Sequence, residues 1–176
     1  MTKIGLLSDT HGFIPERVFE LFKDVDEIWH AGDVGSLEVI DRLKKFKPLR
    51  AVYGNIDDHL IRLELTENLT FQVEDVTVSM THIAGKPSKY SQNAFNLIQK
   101  TKPNLFVCGH SHILKVMRDE KLNNMIVFNP GAAGIHGMHK IKTVLRFQLH
   151  EKKVLNLEVI ELGKRGKIDN NNEEMA

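Results

Sequence analysis

The stretch KIGLLSDTHGFIPERVFELFKDVDEIWHAGD, residues 3–33, decides how this chain folds. Its apolar opening, KIGLLS, reads as a buried strand that ends at Asp9. IPERVFELFKDV then reads as a helix, with Pro15 in its first turn and Val18, Leu21, Phe22 and Val25 on one side. DEIWHAGD is a second short strand, closing on Gly32-Asp33. Strand, helix, strand in that order is the unit of a parallel sheet with right-handed crossovers. The pattern continues outward. SLEVIDRLKKFK (36–47) is a second helix, capped by Ser36, with Leu37, Ile40 and Leu43 as its stripe, and LRAVYGN (49–55) is a third strand.

Beyond residue 58 the character changes. LIRLEL, LTFQVED and VTVSMTH read as close-set strands, with antiparallel pairing among them. SKYSQNAFNLIQKT (88–101) is a third helix, capped by Ser88 or Ser91, with Ala94, Leu97 and Ile98 inward. NLFVCGH, HILKVMR, NMIVFNPG, TVLRFQLH and KVLNLEVIEL complete a mainly β second half, with tight turns at DEKLNN and HEKK. This arrangement implies two sheets packed face to face with helices outside. The expected organisation is one domain over residues 1–162 and a polar, Asn-rich tail over 163–176.

Composition narrows the function classes. The 176 residues are 41% hydrophobic and 27% charged, the balance of an ordinary globular domain. A formal net charge of +1 gives no electrostatic case for a nucleic-acid polymer. The single cysteine, Cys108, rules out an intrachain disulfide, and beside Gly109 it reads as a small core residue. No apolar run is long enough to span a bilayer or to form a signal sequence, so no membrane partner and a cytoplasmic location are expected. Nine histidines are the compositional sign of metal or proton chemistry.

Those histidines fall where strands end. Asp9-Thr10-His11 follows the first strand, Gly32-Asp33 the second and Gly54-Asn55-Ile56-Asp57 the third. Thr81-His82 and Gly109-His110-Ser111-His112 follow two later ones. Strand carboxyl ends form the ligand crevice of open α/β sheets, and the loops there carry function. Two carboxylates, an amide and four imidazoles, with no thiolate, make a mixed oxygen and nitrogen set. It suits manganese, iron, zinc or nickel and is too large for one tetrahedral ion. The glycines at 32, 54 and 109 read as sharp turns beside the ions. A D-x-H or G-D alone is weak, but the five pieces in this order are not.

D-x-H, G-D, G-N-x-D, T-H and G-H-x-H in sequence resemble the calcineurin-like metallophosphoesterase superfamily, and the NPGA segment at 129–132 is similar to its small bacterial and archaeal phosphodiesterase branch. The resemblance covers residues 3 to about 150. It implies an α/β fold, a four-layer α/β/β/α sandwich of two mixed sheets with flanking helices. It also implies that Asp9, His11 and His112 hold one divalent ion, Asn55, His82 and His110 a second, and that Asp33 bridges them. Asp33, Asn55 and His82 are the implied catalytic residues. The implied cofactor is a pair of ions, Mn2+ first, with Ni2+, Fe2+ and Zn2+ as alternatives. The implied reaction is hydrolysis of a small phosphodiester by a hydroxide bridging the two ions, with donor N–H groups around Gly131. Phosphomonoesterase or protein phosphatase activity is the alternative within enzymes. A non-catalytic, protein-binding scaffold like the retromer subunit of this fold is the alternative outside them. One departure stands out: many members read G-N-H-D or G-N-H-E, and Ile56 replaces that histidine, so it cannot protonate the leaving group. Asp57 is expected to orient a neighbour rather than bind metal, and His30, His136 and His139 read as structural or surface histidines. The β-rich second half offers an edge for a homo-oligomer.

Overall fold

The computed structural model describes residues 1–166. Two five-stranded mixed sheets face each other. In the first, the central β1 (Thr2–Leu7) runs parallel to β2 (Glu27–His30), which runs parallel to β3 (Leu49–Ala51). On the other side of β1 lie the long antiparallel strands β11 (Ile141–His150) and β12 (Lys153–Lys164), giving the order β12-β11-β1-β2-β3. In the second sheet β5 (Val76–Thr81), β8 (Leu105–Val107) and β10 (Met125–Pro130) are parallel. They are flanked by antiparallel β4 (Asn68–Val73) and β9 (Leu114–Asp119), in the order β4-β5-β8-β10-β9. A two-stranded ribbon, β6 (Gly85–Lys86) and β7 (Lys89–Tyr90), stands apart.

Side-chain alternation along the strands builds three apolar layers. Ile4, Leu6 and Trp29 from the first sheet meet Val78, Met80, Val107 and Phe128 from the second. The Trp29 and Phe147 rings stand edge to face at 5.6 Å in that seam. On the outer face of the first sheet, Leu7 and Ile28 pack on Val18 and Phe22 beside α1 (Glu16–Leu21) and on Val39, Ile40 and Leu43 of α2 (Leu37–Phe46). On the outer face of the second sheet, Phe106 and Val127 pack on Ala94 and Ile98 of α4 (Gln92–Thr101). The result is the four-layer α/β/β/α order that the sequence implies.

Several local expectations shift. LIRLEL is not a strand: α3 (His59–Glu64) occupies it, capped by Asp58, whose Oδ1 accepts from Ile61 N–H at 3.1 Å. Its apolar residues alternate in the text, but only Ile61 of the helix is buried, while Leu60 and Leu63 face solvent. The third helix begins at Gln92 behind a Ser91 cap, because Lys89 and Tyr90 pair with β6. Pro15 is the N-cap of α1 rather than a member of its first turn. In α2, Val39 joins Ile40 and Leu43 in the core and Leu37 turns outward. The HEKK turn is a two-residue hairpin, with Glu151 and Lys152 both at positive φ (46° and 64°). β12 continues through Gly163 and Lys164, past the start of the expected tail, and residues 167–176 of that tail lie outside the described residues.

Candidate metal centre

Five loops meet at the rim where the parallel strands of both sheets end. They are sewn together by main-chain bonds: Asp9 N–H to Gly32 C=O (3.0 Å), His11 N–H to Asp33 C=O (3.0 Å) and Gly109 N–H to His82 C=O (3.0 Å). The last of these stays within the second sheet, and the His82 ring crosses to the first, its Nδ1 donating to Ala31 C=O at 2.8 Å. That bond fixes the tautomer and leaves the Nε2 lone pair facing the rim.

The backbone there is held under strain. Asp9, His11, Asp33, His110 and His112 all have φ between 48° and 66°, in the left-handed region. Asp and His tolerate it better than most residues, but each such residue costs on the order of 1–3 kcal/mol and clusters of them mark functional sites. The conformation curls each loop so that its side chain turns back over the strand end.

Two groups of donors result, Asp9 with His11 and His112, and Asp33 with His82 and His110. In the first, Asp9 Oδ1 lies 3.1 Å from His112 Nε2 and 4.0 Å from His11 Nε2, and the two ring nitrogens are 3.4 Å apart. In the second, Asp33 Oδ1 lies 3.2 Å from His82 Nε2. Asp33 Oδ2 turns the other way, 3.7 Å from His11 Nε2, so one carboxylate faces both groups. Asn55 stands exposed and lines a cleft with His82.

These donors fit divalent ions. Asp9 is fully buried, and while its Oδ2 accepts from His110 N–H at 3.2 Å, its Oδ1 has no hydrogen bond. His82 Nε2 is likewise buried without one: with the ring hydrogen on Nδ1 it has none to give Asp33 Oδ1, 3.2 Å away. A buried oxygen and a buried nitrogen left unmatched are costly unless something satisfies both. Ligands about 2.0–2.2 Å from one tetrahedral ion stand about 3.3–3.6 Å from each other, in the range seen within the first group. Charges reinforce the picture. Burial would depress the His82 pKa, but Asp33 and Asp9 outweigh it and raise it. Burial would raise the Asp33 pKa, but the His82 ring and the Ile56 N–H hold it below the usual carboxylate range. Burial lowers the His11 pKa against the pull of Asp33 and Asp9.

A second layer supports the donors. Asp57, 3% exposed, accepts from Val34 N–H (3.1 Å), Gly54 N–H (2.7 Å) and Gly35 N–H (2.7 Å), tying the Gly-Asp loop to the Gly-Asn loop as expected of it. Buried His30 accepts from Gly32 N–H at Nδ1 (3.2 Å), so its Nε2–H donates to Thr10 Oγ1 (2.9 Å), which donates to Val34 C=O (2.9 Å). Burial pushes the His30 pKa down to about 4 and keeps the ring neutral. Arg62 Nε–H donates to the Asp57 carbonyl at 2.7 Å.

The NPGA segment differs from its expected role. Gly131 N–H is spent on Asn129 Oδ1 (3.0 Å), Ala133 N–H on Ser8 C=O (2.9 Å) and Gly134 N–H on Asp9 C=O (3.1 Å), so these amides bind the fold and not a phosphate. Asn129 is the residue that the sequence reading missed: its Nδ2 donates to Gly109 C=O at 2.7 Å and Ser111 Oγ at 3.1 Å, clamping the Gly-His-Ser-His loop. The one available signal was an Asn-Pro-Gly turn directly after an apolar strand. His139 is also more than a surface residue. Its Nε2 is 3.0 Å from Gly134 O and its ring lies 5.2 Å from that of His112. His136 is exposed, its ring 6.3 Å from that of His11.

Residues 2–152 match the calcineurin-like phosphoesterase superfamily domain. A probable metallophosphoesterase of Methanothermobacter thermautotrophicus is 32% identical over 134 residues, 73% of this chain and 76% of that protein. A phosphodiesterase of Methanocaldococcus jannaschii is 28% identical over 149 residues, 73% of this chain and 82% of that protein. Among solved structures, zinc-complexed Vps29 from Entamoeba histolytica superposes with a TM-score of 0.69 at 13% identity, covering 90% of this chain and 98% of that one.

Proposed function

The chain belongs to the calcineurin-like phosphoesterase superfamily, a family of divalent-metal phosphoric ester hydrolases, and we propose that it is a dinuclear phosphodiesterase acting on small phosphodiesters. The observation that carries this reading is the pair of buried, unmatched donor atoms, Asp9 Oδ1 and His82 Nε2, set among imidazole nitrogens. Asp9, His11 and His112 would hold one ion, Asn55, His82 and His110 the other, with Asp33 shared between them. Mn2+ is the first choice for both positions, ahead of Ni2+, Fe2+ and Zn2+. When bound, two such ions polarise phosphoryl oxygens and yield a nucleophile from water near neutral pH.

The chain's own residues set the rest. Asn55 is exposed at the rim, and its amide N–H2 would donate to a phosphoryl oxygen. Ile56 offers no proton, so the reaction favours esters with a good leaving group. A phosphate monoester dianion calls for extra cations, and none of the seven donor positions is Lys or Arg. That favours diesters, as does the Methanocaldococcus relative named a phosphodiesterase. Residues 1–162 would form the catalytic domain, and the cytoplasm is the compartment the sequence suggests. A protein-binding scaffold is the alternative reading.

The experiment strips the protein with a chelator, reloads it with Mn2+ and follows hydrolysis of bis-(4-nitrophenyl) phosphate. Turnover is expected from the parent and should vanish in Asp33→Ala and His112→Ala. Equal turnover by parent and variants would refute the assignment, and a folded parent with no turnover under any of the four metals would favour the scaffold.

A further inference from the structure

The cleft that Asn55 and His82 line holds about 350 Å³, at the low end of the roughly 300–1,000 Å³ usual for small-molecule sites. It opens beside the proposed metal ligands Asn55 and His82. A larger hollow of about 610 Å³ lies against α1 and α2 and is lined by none of the seven donors. The smaller cleft therefore bears on the substrate.

Its walls have a definite chemistry. On one side the Arg62 guanidinium lies 4.7 Å from the centre of the Tyr53 ring. It is pinned there by the carbonyls of Asp57 (2.7 Å), Gly54 (3.4 Å) and Asn55 (3.4 Å). Those bonds, made by Nε and Nη2, fix the plane of the guanidinium. On another side Asn93 Nδ2 donates to Glu67 Oε1 at 3.3 Å and trades hydrogen bonds with Asn68 at 3.1 and 3.2 Å. Glu67 Oε2 has no hydrogen bond among the described residues. Ile83, 40% exposed, supplies an apolar side.

Resting on the phosphodiesterase reading above, we propose that this cleft is the subsite for one organic arm of the diester, and that it selects an uncharged, planar arm bearing N–H donors, of nucleoside size. A planar group stacks against the Arg62–Tyr53 wall and the Ile83 side chain. An N–H donor finds Glu67, a charged acceptor held in place by Asn93. A second phosphate or a carboxylate meets the Glu67 charge.

The test compares kcat/KM of the Mn2+-loaded full chain for thymidine 5′-(4-nitrophenyl phosphate), whose base carries an N–H donor, and bis-(4-nitrophenyl) phosphate, which has none. The parent should prefer the nucleoside ester. Glu67→Ala and Asn93→Ala should each reduce that preference about tenfold, mainly through KM, the scale of one hydrogen bond to a charged group. Glu67→Gln, which keeps an acceptor oxygen, should recover part of it. An unchanged preference in all three variants overturns the subsite, and so does an equal loss on both esters in variants that keep the parent's thermal midpoint. A parent that cleaves neither ester refutes the phosphodiesterase reading instead. The subsite is then judged by calorimetric binding of the nucleoside ester, which should weaken about tenfold in Glu67→Ala, and equal affinities would overturn it.

Discussion

Gly54→Ala tests whether the rim is as crowded as the structure shows. Gly54 is not at positive φ, so alanine meets no conformational objection there, and the cost is purely one of space. A Cβ on Gly54 would collide with Asp33 Oδ1 and the Asp33 main-chain nitrogen, and would stand 2.8 Å from Asp33 Cγ. Ordinary carbon contacts are about 3.5–4.0 Å, so the carboxylate must withdraw by roughly 0.7 Å or more. Overpacking of this kind costs about 1–3 kcal/mol, equivalent to a fall in Tm of about 2–12 °C for a domain of this length. The functional loss should be larger than the structural one. Asp33 turns one oxygen to each donor group, and a misplacement of about 1 Å costs on the order of 100-fold in rate. Calorimetry, metal analysis and diesterase turnover read the three effects separately. A Gly54→Ala protein with the parent's metal content and rate would show that Asp33 does not need its position, and the reasoning about the shared carboxylate would fail.

Three further outcomes follow from the surrounding layer. Asp57→Ala strands three main-chain N–H groups and should cost about 3 kcal/mol or more in urea unfolding, with Asp57→Asn milder because one acceptor remains; an unshifted midpoint would contradict the proposed fastening of the two loops. His30, with its pKa pushed down to about 4, stays neutral in the fold while the unfolded chain takes up a proton below about pH 6.5. Stability in EDTA should therefore fall between about pH 6.5 and 4, by about 1.4 kcal/mol per pH unit from this group and about 3 kcal/mol in total, and His30→Gln should show a shallower slope. Burial pushes the Cys108 thiol up to about 12, so Ellman's reagent should leave it untouched in the native protein and react fully in guanidinium; fast native labelling would mean that the α4 face opens readily.

Sequence alone carried the architecture wherever apolar periodicity and burial agree. KIGLLS and EIWH are apolar because both faces of a central parallel strand are covered, and that covering is what makes a two-sheet sandwich. The seven candidate positions were visible there too, since each stands one to five residues past a strand end, and the fold gathers six of them, all but Asn55, into the two donor groups. It did not carry α3, whose residues alternate like a strand's and whose helical form rests on an Asp58 cap and one buried isoleucine. Gly54 and Gly109 were readable as glycines but not for the right reason. They serve close approach rather than turning, since a Cβ on Gly109 would press into Ser8 and Asp9, residues about a hundred positions away. The same holds for Asn129, and for the partners of His30 and Asp57, whose supporting role was legible but not what they hold. A hydrogen-bond partner twenty or more residues distant leaves no periodic trace in the chain, so only the folded structure decides that these residues hold the rim together, and that Asp33 turns one oxygen to each donor group.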